Sequence, residues 1–217
     1  MRILLAAAFF FLGVFFCSCS TTRSLGKDEY LYKKTTVRSP EGEEKLPGNM
    51  EKKLERSVVH QTNRKLLGVL PVRLWLYHLP GDTVGQKGLA RWIRTKLGEP
   101  PETFRSFEVD ATVEEMGKVL RNNGYFDYTI RPERITEDKK LSMLYRVSLE
   151  DPFLVSGVIW PRATDSLTHH MQDLAAGSLL VPGQQFSLQK LQEERGRLMN
   201  RLKSSGFFFL LEDHIYF

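Results

Sequence analysis

The stretch "VDATVEEMGKVLRNNGYFDYTI" (109–130) decides the fold, because a related stretch occurs later in the chain. That second stretch is "LQEERGRLMNRLKSSGFFFLLE" (191–212), and it aligns with the first at a shift of 82 residues. The alignment matches apolar residues with apolar residues and Gly124 with Gly206. Self-similarity at a fixed spacing is typical of a repeated structural unit. The sequence therefore predicts two related units.

Each copy predicts a helix that a glycine closes and a strand follows. Apolar residues at helical spacing mark one face of each helix. These residues are Val109, Val113, Met116 and Leu120 in the first copy, and Leu188, Leu191, Leu198 and Leu202 in the second, where Arg195 interrupts the stripe. Gly124 and Gly206 suit the left-handed backbone conformation that commonly ends helices. An aromatic residue then opens the predicted strand in both copies.

Alternating patterns predict the strands of both units. After the first copy, a polar turn at 137–140 leads into residues 141–149, where apolar and other residues alternate over nine positions. This pattern is typical of a hairpin with one buried face. Opening strands are predicted at 30–37 for the first unit and 153–160 for the second. The predicted fold is α+β, with strand, helical part, helix, strand and strand in each unit.

A helical insert at about 45–100 lengthens the first unit. Met50, Leu54 and Val58 predict one amphipathic helix. Leu89, Trp92, Ile93 and Leu97 predict another, which Gly98 and Pro100-Pro101 end. Large aromatic residues contribute much buried area, so Trp75 and Trp92 are expected to anchor a core beneath the insert.

The first eighteen residues predict a secretory signal followed by a lipid anchor. Arg2 precedes an apolar run at 3–16, which is shorter than the roughly twenty residues that a membrane-spanning helix needs. Phe16 stands three residues before Cys19 and the small residue Ser18 stands directly before it, an arrangement that resembles a bacterial lipobox. Bridging Cys17 to Cys19 would strain the ring, and no second pair of ligands offers a zinc site. We expect residues 1–18 to be removed, Cys19 to carry acyl chains in a membrane, and 19–28 to form a tether.

Composition and charge restrict the class of partner. Hydrophobic residues make up 41% and charged residues 26%, as in ordinary globular proteins. The net charge is +5, and eleven Lys and Arg stand against five acidic residues between 51 and 105. Anionic lipid headgroups are a possible partner for this excess, although a solvated helical face is the more ordinary explanation. Nucleic acid is not expected for an exported protein.

The predicted order β-α-α-β-β, with its helix-glycine-aromatic junctions, resembles the POTRA domains that precede the barrel in the BamA/TamA (Omp85) superfamily. "NRKLLGVLPVRLWLYHLPG" (63–81) and "LARWIRTKLGEPP" (89–101) are similar to the amino-terminal region of TamA-like proteins of Bacteroidota. Those proteins are lipoproteins with a cysteine shortly before "EYLYKKTTV" (29–37). The resemblance implies one unit at 29–150 and a partial unit at 151–217. Family members continue into a barrel, which this sequence does not include, so we expect it to be a fragment.

The resemblance implies a function as well. It implies the periplasmic scaffold and receptor portion of an outer-membrane protein assembly or translocation factor, held at the outer membrane by lipid on Cys19. Clients or accessory envelope proteins would add to sheet edges through backbone hydrogen bonds. The candidate client-binding strand comprises Tyr125, Phe126, Asp127, Tyr128, Thr129, Ile130 and Arg131. Neither a cofactor, a metal nor a small-molecule substrate is expected.

Two alternatives remain open from the sequence. If Phe217 is the true terminus, a barrel-free lipoprotein that bridges partners becomes the better hypothesis. A small lipoprotein enzyme would use Asp165, His169, His170 and Asp173, whose helical spacing allows a metal or acid-base site. A polar first helix of the second unit explains these residues more simply. The sequence also contains no Gly-x-Ser-x-Gly, phosphate loop or His-Glu-x-x-His, so we do not expect an enzyme.

Overall fold

The computed structural model describes Thr22 and residues 25–60, 62–63, 71–78 and 88–217. The predicted signal at 1–18 and Cys19 lie outside these residues. The chain divides into two compact units. The first unit comprises residues 1–113 and 130–146, and the second comprises residues 114–129 and 147–217.

The described residues form one three-stranded sheet. Its strands are β1 (Leu31–Arg38), β2 (Tyr128–Glu137) and β3 (Lys140–Leu149), in the order β1-β3-β2. β1 runs parallel to β3, while the two residues between β2 and β3 form a tight hairpin turn. Asp138 in this turn has φ 53°, a conformation that Asp tolerates better than most residues. The predicted opening strand and hairpin are therefore confirmed, and the fold is mixed α+β.

The central position of β3 explains its apolar pattern. Its residues Leu141, Met143, Tyr145 and Val147 are buried. A central strand has a neighbour on either side, so its backbone groups are paired and its apolar side chains can join a core. β2 lies at the border of the sheet, and most of its residues are exposed. The alternation at 141–149 therefore predicted the buried face correctly.

Six α-helices lie in the described part of the chain. Their bounds are α1 (Met50–Arg56), α2 (Val72–His78), α3 (Leu89–Trp92), α4 (Phe107–Asn122), α5 (Ser166–Asp173) and α6 (Leu188–Ser204). α3 continues into a π-helical turn at Ile93–Leu97, and short 3-10 turns occur at Ala175–Gly177 and Glu212–His214. None of these described helices combines the length and apolar character needed to cross a membrane.

The described residues of the insert form helices as predicted, but only some of their predicted core residues are buried. Met50 and Leu54 of α1 are buried, whereas Val58 lies past the end of that helix. Trp75 in α2 is half-buried. Trp92 is 51% exposed, so the prediction that it anchors a core is wrong. Amphipathic spacing marks the face of a helix but does not show whether another element covers that face.

The two predicted glycine junctions have the same backbone geometry. Gly124 has φ 87° and Gly206 has φ 102°. The amide of Tyr125 donates to the Leu120 carbonyl at 3.0 Å, and the amide of Phe207 donates to the Leu202 carbonyl at 3.1 Å. These bonds close each helix through a left-handed glycine. The predicted helix ends are confirmed.

The strands predicted for the second unit do not form. Residues 153–160 contain only an isolated bridge between Leu154 and Gln185, and the chain after Gly206 has turns and a 3-10 turn. Strand backbone is stable when its donors and acceptors pair with a neighbour. Within the described residues the second unit has no equivalent of β3, so these segments lack the partner that β1 and β2 share.

Each unit has its own apolar core. In the second unit, Leu198, Met199 and Leu202 of α6 pack with Ile215. In the first unit, Leu25 packs with Leu31 and Leu74. Leu25 belongs to the predicted tether at 19–28, so the end of that segment is part of the fold. Lys139 supports it by donating to the Leu25 carbonyl at 3.2 Å.

Candidate functional site

The outer edge of β1 is occupied where the strand begins. The amide of Tyr32 donates to the Glu102 carbonyl at 2.9 Å, and the amide of Phe104 donates to the Tyr30 carbonyl at 3.0 Å. An antiparallel bridge joins Leu31 to residue 103 between these bonds. The segment before α4 therefore covers this part of the sheet edge.

The Gly-Glu-Pro-Pro segment (98–101) helps to hold the covering segment in place. Buried Asn63 donates through Nδ2 to the Pro100 carbonyl at 2.7 Å, and its Oδ1 accepts from the Glu102 amide at 3.0 Å. Both polar ends of the Asn63 side chain are thus satisfied by backbone. This segment, which is part of the resemblance at 89–101, therefore has an architectural role here.

The outer edge of β2 is open within the described part of the chain. There, the backbone groups of β2 make no hydrogen bond to any element other than β3. Just before the strand, the Asp127 carbonyl accepts from the Glu150 amide at 3.1 Å. Residues of an antiparallel pair alternate between facing the partner and facing away. Counting from Asp127, the even-numbered residues of β2 direct their backbone groups outward.

Pro132 interrupts this open edge. It occupies an outward position, where its missing N–H removes no bond to β3, as expected for proline in an edge strand. Outward N–H donors remain at Tyr128, Ile130, Arg134 and Thr136. The edge is therefore blunted but not closed, in the way that natural sheets limit uncontrolled edge pairing.

A groove of about 570 Å³ lies beside the second half of β2. Phe107, Val109 and Asp110 of α4 line one side, and Pro132 and Arg134 of β2 line the other. Phe107 is 67% exposed, so its ring is available for contact. A strand paired with β2 would point alternate side chains toward one face, where such a groove can receive them.

A stack of rings supports Arg134. Its guanidinium carbon lies 4.9 Å from the centre of the Phe104 ring. Phe104 stacks on His60 with centroids 5.3 Å apart, and His60 stacks on Tyr32 at 4.8 Å. The cation-π contact directs Arg134 over the segment that covers β1. Burial raises the pKa of Tyr32 to about 12, so its hydroxyl stays neutral throughout the physiological range.

His60 is the buried titratable group of this stack. Its Nε2 lies 3.3 Å from the Arg105 carbonyl, and its Nδ1 lies 3.4 Å from the hydroxyl of fully buried Thr112. Burial lowers the pKa of His60, although the nearby Glu108 carboxylate acts in the opposite direction. Neutral His60 therefore suits the packed state of the first unit.

The predicted client strand coincides with only part of the open edge. Tyr128, Thr129, Ile130 and Arg131 begin β2, whereas Tyr125, Phe126 and Asp127 precede it. Tyr125 is buried, and Phe126 packs against Phe153 and Phe186 with centroids 5.0 and 5.5 Å away. These three residues belong to the junction after α4.

Sequence reasoning missed the second half of the edge and the groove. The predicted strand stopped at Arg131. Residues on the two sides of a two-residue turn pair one to one, so pairing from the hairpin turn would have extended this strand to Glu137. The exposure of Phe107 at the start of α4 gave no sequence signal, because exposure depends on which elements pack over a residue.

Two of the four polar residues considered for an enzyme contact backbone groups of α5. Asp165 caps this helix by accepting from the Thr168 amide at 2.9 Å, and this hydrogen bond lowers the pKa of its carboxyl group. His170 Nδ1 lies 2.8 Å from the Ser166 carbonyl, and its ring packs edge-on against Phe207. His169 and Asp173 are exposed.

Two further findings bear on function. The part of the chain that the structure describes contains no group of three or more His, Cys, Asp or Glu side chains that could hold a metal ion. No protein-family model matches the chain, and no curated protein matches it.

Proposed function

We propose that this chain is the periplasmic scaffold and receptor portion of an outer-membrane protein assembly or translocation factor, of the POTRA type, and that it binds extended clients along β2. The observation that carries the proposal is the open edge of β2 beside a groove, in a sheet whose other edge is occupied where β1 begins. An added strand would pair through backbone groups, which every client offers regardless of its sequence.

The groove adds a preference to this pairing. A client strand beside Arg134 and Thr136 would send alternate side chains toward Phe107 and Asp110. The exposed Phe107 ring favours an aromatic or aliphatic client residue, and Asp110 favours a neutral or basic one. Barrel strands alternate apolar and polar residues, so one face of such a strand could present its apolar side chains to Phe107.

Weak binding is expected from this geometry. Each backbone hydrogen bond contributes a net of about 1 kcal/mol, and the half of the edge after Pro132 offers two outward residues. About four such bonds correspond to affinity on the order of millimolar before side-chain contacts are added. Weak pairing would let a receptor release each client to the next step.

Pro132 allows a gain-of-function experiment. The chain from Cys19 onward, with Cys19→Ser, is titrated with a fluorescent peptide of alternating aromatic and polar residues, and anisotropy is measured. Pro132→Thr restores an outward N–H at an exposed position, so we expect binding about fivefold tighter. Pro182→Thr, which changes an exposed proline outside the sheet, is the matched control and should leave the affinity unchanged.

The opposite change is Thr136→Pro, which removes an outward donor while keeping the bonds to β3. We expect it to weaken peptide binding about fivefold. Circular dichroism should show the same secondary structure as in the parent chain. Absence of peptide binding, or binding that ignores both Pro132→Thr and Thr136→Pro, would count against β2 as the client site.

A further inference from the structure

The helical segment at 89–97 exposes an apolar stripe. Leu89 is 71% exposed, Trp92 is 51% exposed and Leu97 is 39% exposed. Their spacing places them toward one side of α3 and the π-helical turn that follows. None of the residues described for Ile93–Leu97 is buried. This stripe therefore contributes little to the core of the first unit.

Basic residues accompany the stripe. The described residues at 71–78 and 88–98 include Arg73, Arg91, Arg94 and Lys96 and contain no Asp or Glu. Arg91 and Lys96 are exposed, while Arg94 lies over the Tyr77 ring at 4.4 Å. Exposed Trp and Leu beside Lys and Arg are typical of helices that lie in the headgroup region of an anionic membrane.

The segment is held firmly against α2. A Cβ atom on Gly98 would lie 2.7 Å from the Tyr77 Cα and 2.6 Å from the Arg94 carbonyl, so only glycine permits this approach. The Glu99 amide also donates to the Arg73 carbonyl at 3.0 Å. The apolar and basic side chains are thus presented by a fixed element.

The position of Leu25 brings this surface near the expected lipid anchor. Leu25 packs against Leu74 of α2, the helix on which 93–97 rests. It stands six residues after Cys19. Six extended residues span at most about 20 Å. Acyl chains on Cys19 would therefore keep Leu25, which packs against α2, within about 20 Å of the membrane surface.

We propose that the segment 89–97 is an interfacial helix that rests on anionic lipid headgroups, with Leu89, Trp92 and Leu97 entering the boundary of the acyl region. Charge complementarity and the short distance to Cys19 favour a membrane over a protein partner. This contact would orient the first unit on the membrane, and it does not depend on client binding at β2.

Vesicle binding tests the proposal. The chain from Cys19 onward, with Cys19→Ser, carries no lipid, so any binding comes from its surface. We expect it to bind phosphatidylcholine vesicles that contain phosphatidylglycerol, with a blue shift of tryptophan emission, and to ignore pure phosphatidylcholine. Trp92→Phe should abolish most of the shift while binding persists, because Trp75 and Trp160 are half-buried.

Paired variants separate the two components of the surface. Arg91→Gln with Lys96→Gln should weaken binding about thirtyfold, since each basic residue near an anionic surface contributes about a factor of five. Leu89→Gln with Trp92→Gln should also release the chain. The control is Ile159→Gln, which replaces an apolar residue that is 98% exposed in the second unit and should have no effect.

Three results of the vesicle experiments would overturn the proposal. Equal binding to both vesicle types, or binding that neither pair of variants changes, would overturn the proposal. Lack of binding to either vesicle would overturn it too and would leave the stripe to a protein partner. Peptide titrations of the same variants should stay unchanged, so failure here can be told apart from failure of the β2 site.

Discussion

The first and second copies of the repeated helix agree in detail up to the glycine that closes them. Leu120 and Leu202 occupy equivalent positions, and both are buried. Near each helix end a side chain caps an equivalent carbonyl: Asn123 donates to the Val119 carbonyl at 2.7 Å, and Ser205 donates to the Arg201 carbonyl at 3.1 Å. The two copies therefore share a terminating structure in which the glycine is the same but the capping side chain differs.

The agreement extends to a buried polar position. Thr112 in α4 and Glu194 in α6 are equivalent, and both are fully buried. The Thr112 hydroxyl accepts from the Val59 amide at 3.2 Å, and the Glu194 carboxylate accepts from the Leu179 amide at 3.1 Å. In each unit one polar side chain of the helix fixes the segment that precedes it.

The copies diverge after the glycine. The first continues into β2, which pairs with β3, whereas the second continues through turns with no described strand partner. Helix closure depends on residues within a few positions, but a strand depends on a neighbour elsewhere. The helix-glycine junction therefore forms from local contacts, whereas the sheet requires a partner strand from elsewhere in the chain.

The largest expected effect is at Glu194. Its carboxylate also accepts from Arg197 Nε at 2.7 Å and from the terminal guanidinium nitrogen at 2.8 Å. Glu194→Leu would leave Arg197 and the Leu179 amide without this partner, and we expect a loss of about 3 kcal/mol in the unfolding free energy of the second unit. Urea unfolding followed by Trp160 emission, in a Trp75→Phe and Trp92→Phe background, measures it.

The equivalent change in the first copy is Thr112→Val. It preserves shape and removes the neutral hydrogen bonds to the Val59 amide and to His60 Nδ1, so the expected loss is about 1–2 kcal/mol. If Thr112→Val lost as much unfolding free energy as Glu194→Leu, the charge of Glu194 would add nothing to the stability that a neutral hydrogen bond already gives at this equivalent position.

An effect of similar size is expected at the first glycine. Gly124→Ala would place a Cβ 2.8 Å from the Phe186 carbonyl, in a backbone conformation with φ 87°. The steric conflict adds to the cost of the left-handed conformation, and we expect a loss of about 3 kcal/mol. Thermal unfolding by circular dichroism should show the lowered midpoint, and Gly157→Ala, where a Cβ meets nothing within 4 Å, is the control.

A smaller effect is expected at the second glycine. Gly206→Ala has φ 102° but meets no atom within 4 Å. Only the backbone conformation is penalised, so the loss should be about 1 kcal/mol. The same unfolding measurement compares the two variants directly. Equal losses at Gly124 and Gly206 would mean that the space around the first glycine does not matter.

The smallest expected effect is the pH dependence of stability, which should differ between the two units because their buried polar residues titrate in different ranges. His60 contacts Thr112, and burial lowers its pKa below the ordinary 6.5. As pH falls below 6.5, the unfolded chain takes up this proton first, so the first unit should lose stability until the folded pKa is reached.

Glu194 should respond in a lower pH range. Burial alone would raise its pKa, but hydrogen bonds from Arg197 and the Leu179 amide outweigh burial and hold the pKa below the ordinary 4.5. Its contribution is present above 4.5 and is lost as pH falls through the folded pKa. Urea midpoints from pH 8 down to about 2 can be followed by Trp75 and Trp92 for the first unit and Trp160 for the second. His60→Phe should remove the slope near pH 6 from the first unit alone.

Much of the fold could be read from local patterns. The helical stripes, both glycine caps and the hairpin after Gly124 depend on side-chain periodicity and on residues close in sequence. The site was predicted only in part, because the extent of β2 follows from its pairing with β3. The edge at Tyr128–Arg131 was included in the prediction, whereas the groove at Phe107 and Arg134 was not.

The sequence by itself determined where the two repeated helices close, because a helix-glycine junction arises from contacts a few residues apart. The tertiary structure alone decided which sheet edge stays open, since the segment that covers β1 comes about seventy residues later in the chain. It also decided that Trp92 is exposed and that Leu25 and Glu194 are buried. Burial depends on the elements that pack over a residue, and the pattern of that residue's own segment does not specify them.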